Sequence, residues 1–136
     1  MNRFFKYGLP PILWALVIFS FSSFTVGVSN EVYVKDFVVK KTVHMIEYAI
    51  LSILIYRGFI NYGLGKNKSL FLSLLFAGLY AVSDEFHQSF TPGREPKVRD
   101  VLIDLTGSFV ALYVIVNRLK NMPKLVSGFF QQLEIN

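Results

Sequence analysis

No cysteine occurs in the 136 residues, so neither a disulfide framework nor thiolate chemistry is available. Charge is scarce as well: Asp, Glu, Lys and Arg make up 17% of the chain, against about 25% in a typical soluble domain. There is no internal repeat, no low-complexity tract and no sign of a second domain. The net charge of +5 would suit a nucleic-acid binder only if its distribution were ignored. The Lys and Arg residues lie at the ends of apolar blocks, and no element carries a basic face interleaved with aromatics. That placement suits lipid headgroups and argues against nucleic acid as a partner. No Ala-x-Ala-like cleavage site follows the first apolar run, so that run is expected to be a retained span rather than a signal peptide.

What the chain does have is apolar length. Hydrophobic residues form 53% of it, above the roughly 45–50% of soluble domains, and they come in blocks. About 20 such residues suffice to cross a bilayer. The expected fold class is all-α: a polytopic membrane protein with four transmembrane helices in an up-down bundle over 1–120, then a C-terminal tail over 121–136. The spans are expected at 9–28, 42–60, 69–89 and 98–117. Residues 7–30 carry no charge, and Pro10-Pro11 fits the first turn of a helix, where a missing N–H does no harm. The stretch NEVYVKDFVVKK at 30–41 reads as a loop, with Arg57 closing the second span. Asn61-Tyr62-Gly63-Leu64-Gly65 reads as a Gly-rich turn and Thr91-Pro92-Gly93 as a break after the third span. In the tail, Leu125, Val126, Phe129, Phe130 and Leu133 recur at helical spacing opposite Ser127, Gln131 and Gln132, the pattern of an amphipathic helix lying on the membrane. Phe71, Phe76 and Phe109 are expected to face lipid or fill the core.

Orientation follows from the cations. With the N-terminus inside, the cytoplasmic segments hold Arg3, Lys6, Arg57, Lys66, Lys68, Arg118, Lys120 and Lys124, eight in all. The outer loops then hold Lys35, Lys40, Lys41, Arg94, Lys97 and Arg99, six in all. The margin favours both termini in the cytoplasm.

Against this background the segment SDEFHQSFTPGREPKVRDVLID at 83–104 stands out. A charge at mid-membrane costs roughly 2.5–3.5 kcal/mol even on lenient insertion scales, so a chain that only had to stay in the membrane would have no use for so many. Up-down order brings the start of span two, the end of span three and the start of span four to one membrane face. At about 1.5 Å per residue, Glu47, Asp84 and Asp104 each fall roughly 6–10 Å below that face, in one layer. His44, Glu47 and Tyr48 share a helix face, as do Asp84, His87 and Gln88. Asp100, Asp104, Gly107 and Ala111 form a stripe whose small members, with Ala77 and Ala81, permit close helix approach. The expected result is a polar pocket open to the outer side and lined by His44, Glu47, Tyr48, Asp84, Glu85, His87, Gln88, Arg94, Asp100 and Asp104. The plainer reading is a structural lock in which Arg94 or Arg99 neutralises Asp84 or Asp104, with His44 as a hydrogen-bonded packing residue.

His44-x-x-x-Tyr48, Asp84-Glu85-x-His87-Gln88-x-Phe90-x-Pro92-Gly93-Arg94 and Asp100-x-x-x-Asp104-x-x-Gly107 together resemble the VanZ-like membrane proteins. Phe21-Ser22-Ser23 looks like that family's first-helix signature. The resemblance runs from about Trp14 to Ala111; Glu95-Pro96-Lys97-Val98 departs from it, standing where a Ser shortly before the Asp is common. The family takes its name from an accessory factor in glycopeptide-resistance clusters, associated with teicoplanin. The resemblance implies a place in the bacterial cell envelope, at the cytoplasmic membrane, without supplying a mechanism.

Three functions compete. A non-catalytic protein would bind an amphiphile in the pocket, such as a lipid headgroup, a lipoglycopeptide or a cell-wall precursor. Arg94, Lys97 and Arg99 would meet its anionic group, and the carboxylates its hydroxyls or amines. A membrane-embedded hydrolase or transferase would act on lipid or lipid-linked phosphate: His44, Glu47, Asp84, His87 and Asp104 are of the types that do acid–base work or bind a divalent metal, with His44, Asp84, His87 and Asp104 the candidate ligands. A transporter is the weakest, since the chain shows neither an inverted repeat nor a broken helix.

Overall fold

A computed structural model describes residues 2–23, 33–91 and 96–135, with the backbone alone for 33–37 and 120. Among them every regular element is helical. One π-helical turn, Phe4–Gly8, leads into α1 (Leu9–Ser22). Then come α2 (Tyr33–Asn61), α3 (Lys66–Gln88), α4 (Val98–Arg118), a 3-10 turn at Leu119–Asn121 and α5 (Lys124–Gln132). Four stretches, Phe4–Ser22, Val38–Asn61, Lys66–Gln88 and Val98–Arg118, are long and apolar enough to cross a membrane. The chain is an all-α, multi-pass membrane protein.

The boundaries differ from expectation in one place. The stretch read as a loop up to residue 41 is helical from Tyr33. No Pro or Gly interrupts residues 33–57, and Lys is a good helix former. At about 1.5 Å per residue, a 29-residue helix is roughly 43 Å long, more than the ~30 Å hydrocarbon core. The charges at 35–41 mark where α2 leaves the membrane, not where it begins. The Gly-rich turn is as expected: Gly63 takes φ 94°, and the N–H groups of Gly63 and Leu64 close back onto Ile60 and Phe59, a Schellman ending that needs the left-handed residue. The final residues of the first expected span, 24–28, and the Pro92-Gly93 break lie outside the described residues.

α2 is the axis of the bundle. It packs most extensively on α4 and next on α3, while α1 touches α2 and α3 but not α4 among the described residues. Inside a membrane helices are not driven together by hydrophobicity, so close approach and hydrogen bonds must hold them. The α2–α4 seam shows both. A Cβ on Gly107 would collide with the Met45 carbonyl oxygen. One residue on, Ser108 Oγ donates to the Tyr48 carbonyl at 3.1 Å, and Ser52 and Ser108 are wholly buried. Ala77 and Ala81 are buried on α3 as expected, whereas Phe71 and Phe109 face outward and Phe76 is half exposed, with its ring against Phe59.

The two chain ends meet at one end of the bundle. Pro10 and Pro11 lack the N–H groups that would bond the carbonyls of Lys6 and Tyr7. α2 meets the first of them, with Arg57 Nη1 donating to Lys6 O at 3.1 Å, and Gly58, lacking a side chain, lets α2 come close to the second, Tyr7 O. Arg57 Nε also donates to Leu133 O at 2.5 Å. Arg57 is thus a hub rather than a simple interfacial charge. The tail reaches it through a second Schellman turn, with Glu134 N–H on Gln131 O and Ile135 N–H on Phe130 O. Glu134 occupies the left-handed position at φ 57°. Its carboxylate accepts from Lys6 Nζ at 2.6 Å and Tyr7 Oη at 2.8 Å, and Ile135 is buried beside Tyr56, Leu112 and Ile115. The amphipathic α5 is present, but its apolar stripe is divided: Phe130 packs on the bundle, while Leu125, Val126 and Phe129 stay exposed.

Two outcomes follow. Gly107→Ala should lower thermal stability in detergent by at least about 1–3 kcal/mol, the usual range for overpacking; an unchanged Tm would mean that the α2–α4 seam is looser than described. The Lys6 hydrogen bond, and then that from Tyr7, hold the Glu134 carboxyl below the ordinary glutamate value of 4.5. A depressed folded-state pKa contributes stability above the unfolded value and loses it as the pH falls through the folded one. Glu134→Gln should therefore lower Tm at pH 7 and have little effect in acid well below the ordinary value; equal effects at both would contradict the contact.

Candidate functional site

At the other end of the bundle, α2 and α4 enter the membrane and α3 ends. Asp84, one turn before the end of α3, is 3% exposed. Its Oδ2 accepts from Ser22 Oγ at 2.8 Å and from Gln88 Nε2 at 2.9 Å. Gln88 Nε2 also lies 3.2 Å from Ser22 Oγ. The i, i+4 spacing puts Asp84 and Gln88 on one face, and Ser22 reaches them because α1 ends at that height. Asp84 Oδ1 has no hydrogen-bond partner among the described residues, and neither has the hydroxyl of Tyr48, a residue with no exposed surface. Glu47 and Asp104 are also buried, and the charge of Asp84 reaches Glu47, Tyr48 and Asp104. Three carboxyl groups and a phenol therefore form one buried layer, as the helical spacing predicts.

Above this layer lies a charged rim. Lys41 Nζ is 2.5 Å from Asp100 Oδ2, and its charge also reaches Asp104 and Glu85. Glu85 Oε1 accepts the backbone N–H of Lys97 at 2.7 Å. Lys97 is the residue preceding α4, so Glu85 fastens the start of α4 to the end of α3, where a helix N-terminus favours negative charge. Arg99 Nε lies 3.5 Å from Asp100 Oδ1 on the exposed side. Lys41 of α2 and Arg99 thus both lie at Asp100, and the charge of Lys41 also reaches Asp104. Arg94 lies outside the described residues.

The two histidines flank Asp84, and both act on its charge. His44 Nδ1 is 3.8 Å from Glu47 Oε2, at the edge of the layer. His87 stacks on Phe19 of α1, with ring centroids 4.2 Å apart. Among the described residues no three His, Cys, Asp or Glu side chains are arranged to hold a metal ion. His44, Asp84, His87 and Asp104 therefore do not fit a divalent metal as a set.

Glu47, Tyr48, Asp84, Gln88 and Asp104 come together as the spacing predicts, with His44 at their edge and Glu85 and Asp100 in the rim. Two members were not among the expected lining residues. Ser22 belongs to the Phe21-Ser22-Ser23 signature, and its signal in the sequence is a hydroxyl at the end of an apolar run, level with an acidic residue. Lys41 was assigned to a loop, and once α2 is extended it falls on the Lys41, His44, Tyr48 face at i, i+3 and i+7.

Four membrane-length helices around a buried carboxylate layer define a multi-pass membrane protein with an intramembrane polar site, the kind of feature that lipid exposure alone would not sustain. The VanZ/LLP1 family model matches residues 7–120, nearly the whole bundle, and the chain belongs to that family. No curated protein and no solved structure gives a significant match. The match spans all four transmembrane helices, including every described member of the layer and rim.

Ser22→Ala removes one of the two donors to Asp84 Oδ2. It should destabilise the folded protein by about 1–3 kcal/mol, the scale of a buried hydrogen bond to a charged group, measured by thermal denaturation. A change no larger than that of Ser23→Ala, whose hydroxyl bonds only its own helix, would contradict the described contact.

Proposed function

We propose that the buried layer binds the polar group of a membrane amphiphile, a lipid headgroup or a lipoglycopeptide such as teicoplanin. The observation that carries this reading is that Tyr48 Oη and Asp84 Oδ1, two of the buried polar atoms without a hydrogen-bond partner among the described residues, belong to the same layer. A buried polar group without a partner costs about 1–3 kcal/mol, so a group that satisfies both is drawn to them. A carboxylate accepts and a phenol does either, which selects hydroxyls and amines. At the rim, exposed Lys97 and Arg99 supply cations for a phosphate or carboxylate on the same ligand.

Charge counting supports the setting. The termini meet at the end opposite the site, and the positive-inside margin puts that end in the cytoplasm. The site then opens to the outer face of a bacterial cytoplasmic membrane. There it meets lipids, cell-wall precursors and glycopeptides, and it would contribute to teicoplanin resistance by holding the drug at the membrane. No geometry among the described residues favours the hydrolase alternative.

The test is binding to purified protein in nanodiscs. Tyr48→Phe and Asp84→Asn should each raise the Kd for teicoplanin or for phosphatidylglycerol about tenfold, equivalent to ~1.4 kcal/mol. Unchanged affinity for both ligands in both variants would contradict the proposal.

A further inference from the structure

One turn below the polar layer the bundle is incompletely closed. A cavity of about 270 Å³ lies between Ile12 and Ala15 of α1, Leu51 and Ile55 of α2, and Phe76 and Tyr80 of α3. Leu51 is four residues along α2 from Glu47, and Tyr80 four along α3 from Asp84, so the cavity starts about 6 Å beneath those carboxylates. Its far end is bounded by Phe59 and Phe76, whose rings are 5.8 Å apart. Ile12 and Phe76 remain half exposed, which opens the seam sideways to lipid.

The lining is hydrocarbon for a specific reason. Tyr80 turns its hydroxyl to the Ala15 carbonyl at 2.5 Å, and Trp14 turns its indole N–H to the Glu47 carbonyl at 2.9 Å. The polar ends of the nearest aromatics are thereby used up on backbone. An apolar cavity of this kind holds neither water nor ions. Nor can it close by α1 moving inward. Ser22 on Asp84, Trp14 on Glu47 and Tyr80 on Ala15 hold one end of α1 at a fixed distance. Arg57 on Lys6 holds the other. Between these hydrogen bonds α1 presents Pro11 and Ala15, where a larger side chain would fill the gap. An empty hydrocarbon-lined cavity is destabilising in proportion to its volume, and the hydrocarbon at its open side is the bilayer.

We infer that this seam is a binding site for one acyl chain of a phospholipid whose headgroup occupies the polar layer one turn above. The inference rests on the proposed reading of that layer. It adds that the ligand arrives sideways from the bilayer, between α1 and the α2–α3 pair, and that a hydrocarbon chain is part of what is recognised.

Phosphatidylglycerol carrying a diazirine at mid-chain, incorporated into phosphatidylcholine nanodiscs, tests this. Photolabelling mapped by mass spectrometry should favour Ile12, Ile55 and Phe76 over the outward-facing Phe71 and Phe109 by about tenfold, equivalent to ~1.4 kcal/mol. Ile55→Trp, which fills the seam, should abolish that preference, and Ile12→Trp at the open rim should do the same if the first variant folds poorly. Phe71→Trp should leave it intact. Labelling spread evenly over seam and outer residues, and insensitive to both seam variants, would overturn the inference. If Tyr48→Phe still weakened headgroup binding in the same nanodiscs, the reading of the polar layer would survive that failure. Co-purification of an isoprenoid chain in place of an acyl chain would also overturn it.

Discussion

A carboxyl group buried in a membrane must be given donors, and Asp84 receives two on one oxygen, from Ser22 and Gln88. That contact decides the geometry of the membrane's most polar level. It brings the end of α1 to the end of α3, although α1 has no packing on α4 among the described residues. Oδ1 of the same carboxyl group has no partner among the described residues, and neither has the hydroxyl of Tyr48 in the same layer. The proposed ligand site rests on these two atoms.

The remainder of the bundle can be understood as support for that arrangement. Tyr48 is held in place from both sides of its own backbone, since Ser108 donates to its carbonyl while Gly107 lets α4 come close enough for the bond to form. Glu85 ties α3 to the start of α4, and Lys41 ties α2 to Asp100. Each fastening is a hydrogen bond or ion pair, which is what membrane helices have available when hydrophobicity offers no discrimination between protein and lipid. At the far end the same economy recurs. Of the two carbonyls released by Pro10 and Pro11, that of Lys6 is met by Arg57, while Gly58 gives α2 room beside that of Tyr7, and the tail is drawn to the same hub.

Much of this was legible in the chain before its fold was known, and the exceptions have physical causes. The four spans were legible because apolar length is a one-dimensional property. The layer of Glu47, Asp84 and Asp104 was legible because helical rise converts sequence distance into depth. The start of α2 was not, because charge was taken as a helix boundary when it marks only the edge of the hydrocarbon. That error also hid Lys41, which belongs to the helix face carrying His44 and Tyr48. His87 shares a face with Asp84 by spacing, yet it lies against Phe19; one helix's periodicity does not say which neighbour that face meets. The roles of Arg57 and Glu134 depend on contacts between residues distant in the chain, 51 positions for Arg57 with Lys6 and 128 for Lys6 with Glu134, and no local pattern encodes them.

The central claim is that Tyr48 and Asp84 are held open for the polar group of an amphiphile. A high-resolution map of the protein extracted with its native lipids tests it most directly. The account predicts elongated density with a polar group within hydrogen-bond distance of Tyr48 Oη and Asp84 Oδ1. A layer in which those two atoms bond to each other or to protein side chains, with no ligand density beside them, would contradict it.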